Sequence, residues 1–170
     1  ESKESALSEE VLVVYATQSG SAKKYAQHLA SRLKRSVRLM DASSQVEPWD
    51  ELLNGKARDC VALISTYEGG RVPENCRMVI EDQVDELVHD FRVGATALRG
   101  RRIAVLGLGS LAYADTRYCA AAKALEKKLR KLGASRVATE MLDDQSHDNE
   151  KKFDLFVHRV SAAFAHPCKI

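Results

Sequence analysis

The stretch Val11-Leu12-Val13-Val14-Tyr15-Ala16-Thr17-Gln18-Ser19-Gly20-Ser21-Ala22 decides the architecture. An apolar run of strand length breaks there into a hydroxyl-rich loop with one glycine and then enters a helical stripe. The run does not alternate with polar residues, which predicts a strand buried on both faces. Downstream, Ala22, Tyr25, Ala26, Leu29, Ala30 and Leu33 recur at helical spacing and mark one apolar face. A strand feeding a helix through this loop presents unpaired backbone N–H groups, the hydroxyls of Thr17, Ser19 and Ser21, and a permissive Gly20. That set suits a phosphate group. The lysine of a Walker loop is missing, so nucleoside triphosphate hydrolysis is not expected.

The same alternation runs along the chain. Strands are predicted over 11–16, 37–42, 60–65, 103–106 and 136–142. A short helix is predicted from Pro48 to Leu53, and a third helix after Pro73 carries Cys76, Ile80, Val84, Leu87 and Val88. Tyr118, Ala122, Leu125, Leu129 and Leu132 stripe a fourth helix that stops at Gly133; Phe153, Phe156, Val157, Val160 and Phe164 stripe the last. Near-continuous apolar strands alternating with helices predict an α/β three-layer sandwich around a parallel sheet. Right-handed crossovers favour five strands in the order 2-1-3-4-5, with a ligand crevice at the carboxyl ends of strands 1, 3 and 4.

With 170 residues, 45% of them hydrophobic, the chain can enclose one sizeable core. A single domain is expected over 11–165, between polar tails 1–10 and 166–170. No apolar run approaches the roughly 20 residues that span a bilayer. The first residue is not methionine, which points to an excised or processed piece. Cys60, Cys76, Cys119 and Cys168 form no CxxC pair, which argues against a zinc knuckle or a cluster site and suits a reducing compartment. Cys60 reads as a small core residue and Cys168 as a free thiol in the tail. A net charge of +2 does not by itself announce nucleic-acid binding, and the basic clusters around Lys23, Arg101 and Lys127 read as solvated faces. The histidines have no serine, cysteine or carboxylate partner at motif spacing, so no hydrolase site follows.

The other two crevice loops are Thr66-Tyr67-Glu68-Gly69-Gly70 and Gly107-Leu108-Gly109-Ser110-Leu111-Ala112-Tyr113. Each sets an aromatic beside glycines. Tyr67 and Tyr113 offer two faces for a flat ring, and such stacking is worth about 0.5–1.5 kcal/mol beyond area burial. Gly69 and Gly70 let a backbone carbonyl turn toward a protonated ring nitrogen. Singly, either tyrosine reads as a core-edge aromatic; in this order the three loops suit flavin mononucleotide (FMN). The glycines of the last loop also fit G-x-G-x-x-A, a dinucleotide fingerprint. It would fall on the fourth strand, with Glu140 about 30 residues on rather than the usual ~20, which disfavours it. A phosphoacceptor receiver needs an aspartate after strand 3 and an acidic pair after strand 1, where this chain has Ser65-Thr66 and Thr17-Gln18.

These motifs resemble known ones. Thr17 to Lys23 resembles SQTGTAK, Thr66-Tyr67 with Gly70 and Pro73 resembles TYxDGxP, and Gly107-Leu108-Gly109 with Ala112-Tyr113 resembles GLGNSAY. Together, over roughly residues 10–165, they resemble the flavodoxin-type FMN domain shared by diflavin reductases and the radical-SAM enzymes of tRNA wybutosine synthesis. Asp90-Phe91-Arg92-Val93-Gly94, with Leu98 and Gly100, resembles the DFRFG...LKG of the wybutosine enzymes, which diflavin reductases generally lack. Diflavin FMN domains also tend to be strongly acidic. The chain departs from the pattern at Ser110, which replaces an asparagine, at Tyr118-Cys119, where the families have Phe-Asn, and at extra residues near Arg71-Val72 and between Tyr113 and Tyr118.

The resemblance implies a flavodoxin-like fold holding FMN. It implies phosphate contacts from Thr17, Gln18, Ser19, Gly20, Ser21 and Ala22. Further contacts are implied from Thr66, Tyr67, Glu68, Gly69 and Gly70, and from Gly107, Leu108, Gly109, Ser110, Tyr113 and Tyr118, with Asp144 near the flavin edge. It further implies single-electron delivery to the 4Fe-4S cluster of a radical-SAM domain. Because CxxxCxxC is absent, that domain would lie beyond Ile170 in the same polypeptide. There it would cleave S-adenosylmethionine for a step on phenylalanine tRNA, in the cytoplasm, with an NADPH-linked reductase as donor and tRNA met only indirectly. No side chain of this chain would act as acid, base or nucleophile. The FMN domain of an NADPH-dependent diflavin reductase, or a stand-alone flavodoxin-type quinone reductase, is the alternative.

Overall fold

Every residue of β1 (Val11–Ala16) is buried. Leu12, Val14 and Ala16 face one apolar layer, and Val11, Val13 and Tyr15 face another. Strand β3 (Asp59–Ser65) is buried throughout as well, as a parallel strand covered on both faces must be. The computed structural model describes residues 10–110, 117–144 and 146–166. In it these strands join β2 (Val37–Asp41), β4 (Arg102–Gly109) and β5 (Ser135–Asp143) in a five-stranded sheet of order β2-β1-β3-β4-β5. All four pairings are parallel.

Helices α1 (Ser21–Arg32) and α5 (Asn149–Ala163) cover one face through Ala26, Leu29, Phe153, Phe156 and Val160. The other face carries α2 (Pro48–Leu53), α3 (Gln83–His89) and α4 (Ala120–Lys131), through Trp49, Leu52, Val84, Leu125 and Leu129. Each such apolar side chain stabilises the fold by about 1.5–3 kcal/mol when removed from water. The expected three-layer sandwich and strand order are therefore those of the structure. Among the described residues no helix is long and apolar enough to cross a membrane.

Three elements differ from their sequence reading. The helix expected to run on from Pro73 is divided into a 3-10 turn at Glu74–Cys76, a π-helical stretch at Met78–Asp82, and α3. The wide turn places the Val79 carbonyl where the buried Trp49 indole N–H donates to it at 2.7 Å, a contact across 30 residues that periodicity does not encode. Strand β4 runs on through Gly107, Leu108 and Gly109, because Gly107 pairs with Ile64 and Met141, and Gly109 with Asp143. Tyr118 lies in a turn before α4 and not on its stripe.

At the amino ends of the strands the sheet is closed by charge. Asp59 is fully buried and ion-paired with Arg35 and Arg102. Arg102 grips it with two donors, Nε at 2.6 Å and Nη2 at 2.8 Å. The same guanidinium donates to the carbonyls of Ala163 at 2.6 Å and His166 at 2.7 Å and lies over the Phe164 ring, fastening the end of α5 to the sheet. Asp59→Asn leaves two arginines around a neutral amide and is expected to destabilise the protein by about 3–5 kcal/mol in urea unfolding. A loss under 1 kcal/mol would contradict the clamp.

Next to Asp59, burial and then that carboxylate push the Cys60 thiol from 9.0 up to about 12. A raised folded value means that this thiol's contribution is complete below pH 9 and drains away as pH rises toward 12. Stability measured from pH 8 to 11 is therefore expected to fall, and to fall less steeply in Cys60→Ala.

Candidate functional site

The loop after β1 turns on Gly20, whose φ of 93° lies in the left-handed region that glycine alone enters freely. Thr17 Oγ1 accepts the Gly20 N–H at 3.0 Å, and the Gly20 carbonyl accepts the first helical bond from Lys24 N–H at 3.0 Å. No acidic side chain stands in the first turn of α1, so the positive end of its dipole is uncompensated. Gln18 N–H donates to the Tyr67 phenol oxygen at 3.0 Å. Burial pushes the Tyr67 hydroxyl up, but the Gln18 N–H, the Ser19 hydroxyl and N–H, and the Ser65 hydroxyl together outweigh burial and draw it below 10.0. The loops after β1 and β3 are thus tied together at the Tyr67 phenol oxygen.

The loop after β3 is held by Tyr67 N–H to the Arg71 carbonyl at 2.8 Å and by Gly70 N–H to the Tyr67 carbonyl at 3.1 Å. Gly69 and Gly70 follow each other at φ 77° and 74°. Thr66 is tied down at both ends. Its N–H reaches the Leu108 carbonyl at 2.8 Å, and its Oγ1 accepts the Ala121 N–H at 3.2 Å near the start of α4.

Between these loops lies a cavity of about 380 Å³. Of the residues singled out in the sequence, Ser19, Ser21, Thr66 and Tyr67 line it from one side, and Leu108, Gly109, Ser110 and Asp144 from the other. Thr17, Gln18 and Gly20 shape the loop without entering the wall, and Ala22 is buried in the α1 core. Gly70 borders a neighbouring groove beside Arg71 and Glu81, which form a two-pronged ion pair. Gly69 and Tyr118 are not part of the cavity wall, and the Glu68 side chain lies outside what the structure describes. Tyr113, with Leu111 and Ala112, lies outside the described residues, as does Cys168.

Tyr25, Ser65, Leu142 and Asn149 also line the cavity and were not singled out. Tyr25 and Leu142 carry only a core signal in sequence, whereas Ser65 is the last residue of its strand, a position that could have flagged it. Asn149 donates from Nδ2 to the Asp143 carbonyl at 2.6 Å, which leaves its Oδ1 buried without a hydrogen-bond partner. Gly107 faces packing rather than the cavity. A Cβ there would stand 2.4 Å from Met141 Sδ, 3.0 Å from Ala122 Cβ and 3.1 Å from Cys119 Cβ. Cys119 itself is buried at φ 50°, unusual for a side-chain-bearing residue, and burial pushes its thiol up to about 11.

A parallel 2-1-3-4-5 sheet with such a cavity at the ends of β1, β3 and β4 defines a flavodoxin-like α/β domain. The chain belongs to the flavodoxin family, whose model, described as Flavodoxin, matches residues 13–156. Flavodoxins are FMN-binding electron-transfer domains. The chain is similar to the S-adenosyl-L-methionine-dependent tRNA 4-demethylwyosine synthase of Xenopus laevis, 35% identical over 134 residues. That match covers 76% of this chain and 18% of the relative, so the chain spans about a fifth of that protein's length. It is also similar to the NADPH–cytochrome P450 reductase of Phanerodontia chrysosporium, 27% identical over 91% of this chain and 21% of the relative. The fold matches that of a flavodoxin from Streptococcus pneumoniae TIGR4 with a TM-score of 0.71 and 21% identity, over 91% of this chain and 99% of that one.

The donor set fits the phosphate of FMN, since oxygen acceptors are what its converging N–H and O–H groups require. On the other side of the cavity, β4 approaches the turn before α4 closely at Gly107. Gly107→Ala forces a Cβ into that contact and is expected to destabilise the protein by about 1–3 kcal/mol, read from thermal or urea unfolding. An unchanged midpoint would mean that the strand and turn are not packed as described.

Proposed function

We propose that this chain, over about residues 11–165, is the electron-delivery module of a radical-SAM tRNA-modifying enzyme of wybutosine biosynthesis. The observation that carries FMN binding is the donor-rich loop after β1, which sets Ser19 and Ser21 in the wall of a strand-end cavity at a helix start with no acidic side chain in its first turn. Delivery to a radical-SAM cluster is supported by the 35% identity to a 4-demethylwyosine synthase. It is also supported by Asp90-Phe91-Arg92. There Arg92 grips Asp90 with Nε at 3.0 Å and Nη2 at 2.9 Å, and Phe91 stands 93% exposed.

In this reading Gln18, Ser19, Gly20 and Ser21 hold the phosphate, assisted by Thr17, which shapes the loop. Thr66, Tyr67, Leu108, Gly109, Ser110 and Asp144, which line the cavity, hold the remainder of the cofactor. FMN supplies the ability to take up electrons and release them singly. The protein's part is to bind, orient and shield it, and no side chain here transfers a proton to a substrate. The 4Fe-4S radical-SAM domain would be the acceptor and an NADPH-linked reductase the donor. The tRNA would meet the acceptor domain, and the location would be cytoplasmic. The match to an NADPH–cytochrome P450 reductase over 91% of the chain favours, as the second reading, the FMN domain of a diflavin reductase.

Titration of the purified protein with FMN is expected to perturb the flavin absorbance bands saturably. Ser19→Ala, which removes a donor to a charged oxygen, is expected to weaken FMN by about 10-fold or more while leaving riboflavin unchanged. Equal effects on both flavins would remove the phosphate from this loop. Mixing the reduced, FMN-loaded protein anaerobically with a wybutosine-synthesis radical-SAM domain should bleach the oxidised cluster; with no bleaching, the diflavin reading takes precedence.

A further inference from the structure

A net charge of +2 conceals a segregated distribution. Residues 41–90 carry twelve acidic and four basic side chains, whereas residues 91–139 carry eleven basic and two acidic ones. Of those two, Asp115 lies outside the described residues and Glu126 is buried, 8% exposed. The excess is concentrated on α4 and the strand it leads into. Lys123, Lys127 and Lys131 stand four residues apart on the outer side of α4, all exposed, with Arg130 beside them and Arg136 exposed near the start of β5. Glu126, the one acid of α4, is shared by Arg136 at 3.0 Å and Arg130 at 3.8 Å, and Lys128 is taken up by Asp85 of α3 at 2.6 Å. Among the described residues no carboxylate lies within 4.0 Å of Lys123, Lys127 or Lys131.

The helix dipole accounts for cations in the last turn of α4, but not for Lys123 and Lys127. Like charges four residues apart on a helix repel, so the stripe weakens α4, where an ordinary solvated face mixes signs. Given the reading of the chain as part of a tRNA-modifying enzyme, the geometry points to α4 and the start of β5 as a surface for the phosphate backbone of RNA. Three ammonium groups in a row about 12 Å long meet successive phosphates of one strand, and the counterions released there drive binding. An acidic protein face fits less well. Protein interfaces centre on large apolar anchors and are poor in lysine. The exposed large apolar side chains among the described residues are Leu39, Met78, Phe91 and Leu155, none of them on α4 or β5. At its amino end α4 starts near the cavity, where Ala121 N–H donates to Thr66 Oγ1 and Lys123 Nζ lies 5.2 Å from the centre of the Tyr118 ring. RNA along α4 therefore flanks the cavity and leaves the strand-end loops open to an electron acceptor.

The test is fluorescence anisotropy with a labelled transcript of phenylalanine tRNA, from about 50 mM to about 200 mM salt. The variant Lys123→Ala/Lys127→Ala/Lys131→Ala is compared with wild type and with Lys34→Ala/Lys56→Ala/Lys151→Ala, which removes the same charge from other exposed positions. Wild type and the second variant are expected to share one slope of log affinity against log salt. The α4 variant is expected to bind roughly 10-fold or more weakly, with a slope shallower by about 2–3. Its thermal unfolding midpoint should be no lower than that of wild type, because alanine favours helix and relieves the repulsion; this keeps a folding defect apart from lost contacts. No RNA binding by wild type at about 50 mM salt, or equal losses in the two variants, overturns the surface. If, with RNA unbound, only the α4 variant slows bleaching of the radical-SAM cluster, the face belongs to an acidic protein instead. RNA bound through α4 with no bleaching by wild type keeps the surface and removes the radical-SAM reading; bleaching without RNA binding does the reverse.

Discussion

The site depends on the register of three parallel strands. Ala16 is level with Ile64, Ser65 with Leu108, and Gly109 with Asp143, so the chain leaves β1, β3 and β4 at one height and the loops that follow meet. The ladder extends past the strands. Thr66 N–H bonds to the Leu108 carbonyl and Asp144 N–H to the Gly109 carbonyl at 2.9 Å, which anchors the first residue of each loop to a neighbouring strand. Because these contacts are backbone bonds, the position of the cavity follows from the sheet and not from any particular side chain. Side chains then decide what the cavity accepts.

The two ends of the sheet are built with opposite chemistry. At the amino ends, Asp59 is buried between Arg35 and Arg102, and the helix-end carbonyls of Ala163 and His166 are drawn into the same network. There two guanidinium groups share one buried carboxylate and the helix-end carbonyls. At the carboxyl ends the loops after β1 and β3 meet through the Gln18 N–H and the Tyr67 oxygen beside the cavity. An end that is closed by internal pairing gives rigidity, whereas an end built of loops around a cavity can take a ligand. The glycines of β4 serve the same division. Gly107 permits close packing below the cavity, and Gly109 borders the cavity where a Cβ would stand 3.2 Å from Cys119.

Much of this was legible in the sequence, and the parts that were not have physical causes. Runs such as Val11–Ala16 and Asp59–Ser65 announce buried parallel strands because burial on both faces suppresses alternation. The loop Thr17–Ala22 announces a donor-rich helix start because hydroxyls, a glycine and a following stripe coincide there. The extension of β4 into Gly107–Gly109 was hidden, since glycine has no strand preference and only pairing with β3 and β5 extends it. The π-helical turn was hidden because it answers to Trp49, a partner distant in sequence. Asn149 enters the cavity wall through the start of α5, where composition carries no signal for a ligand, whereas Ser65 could have been flagged by its place at the end of β3. Tyr67 was read as a ring to stack; that its oxygen also reaches the phosphate loop is a matter of three-dimensional reach alone.

The proposed role requires that the chain, once loaded with FMN, carry electrons one at a time. The measurement that tests it most directly is an anaerobic spectroelectrochemical titration of the FMN-loaded protein. Two resolved one-electron steps, with the half-reduced protein accumulating between them, are what the account requires. A single two-electron step, with no accumulation at any potential, would contradict it.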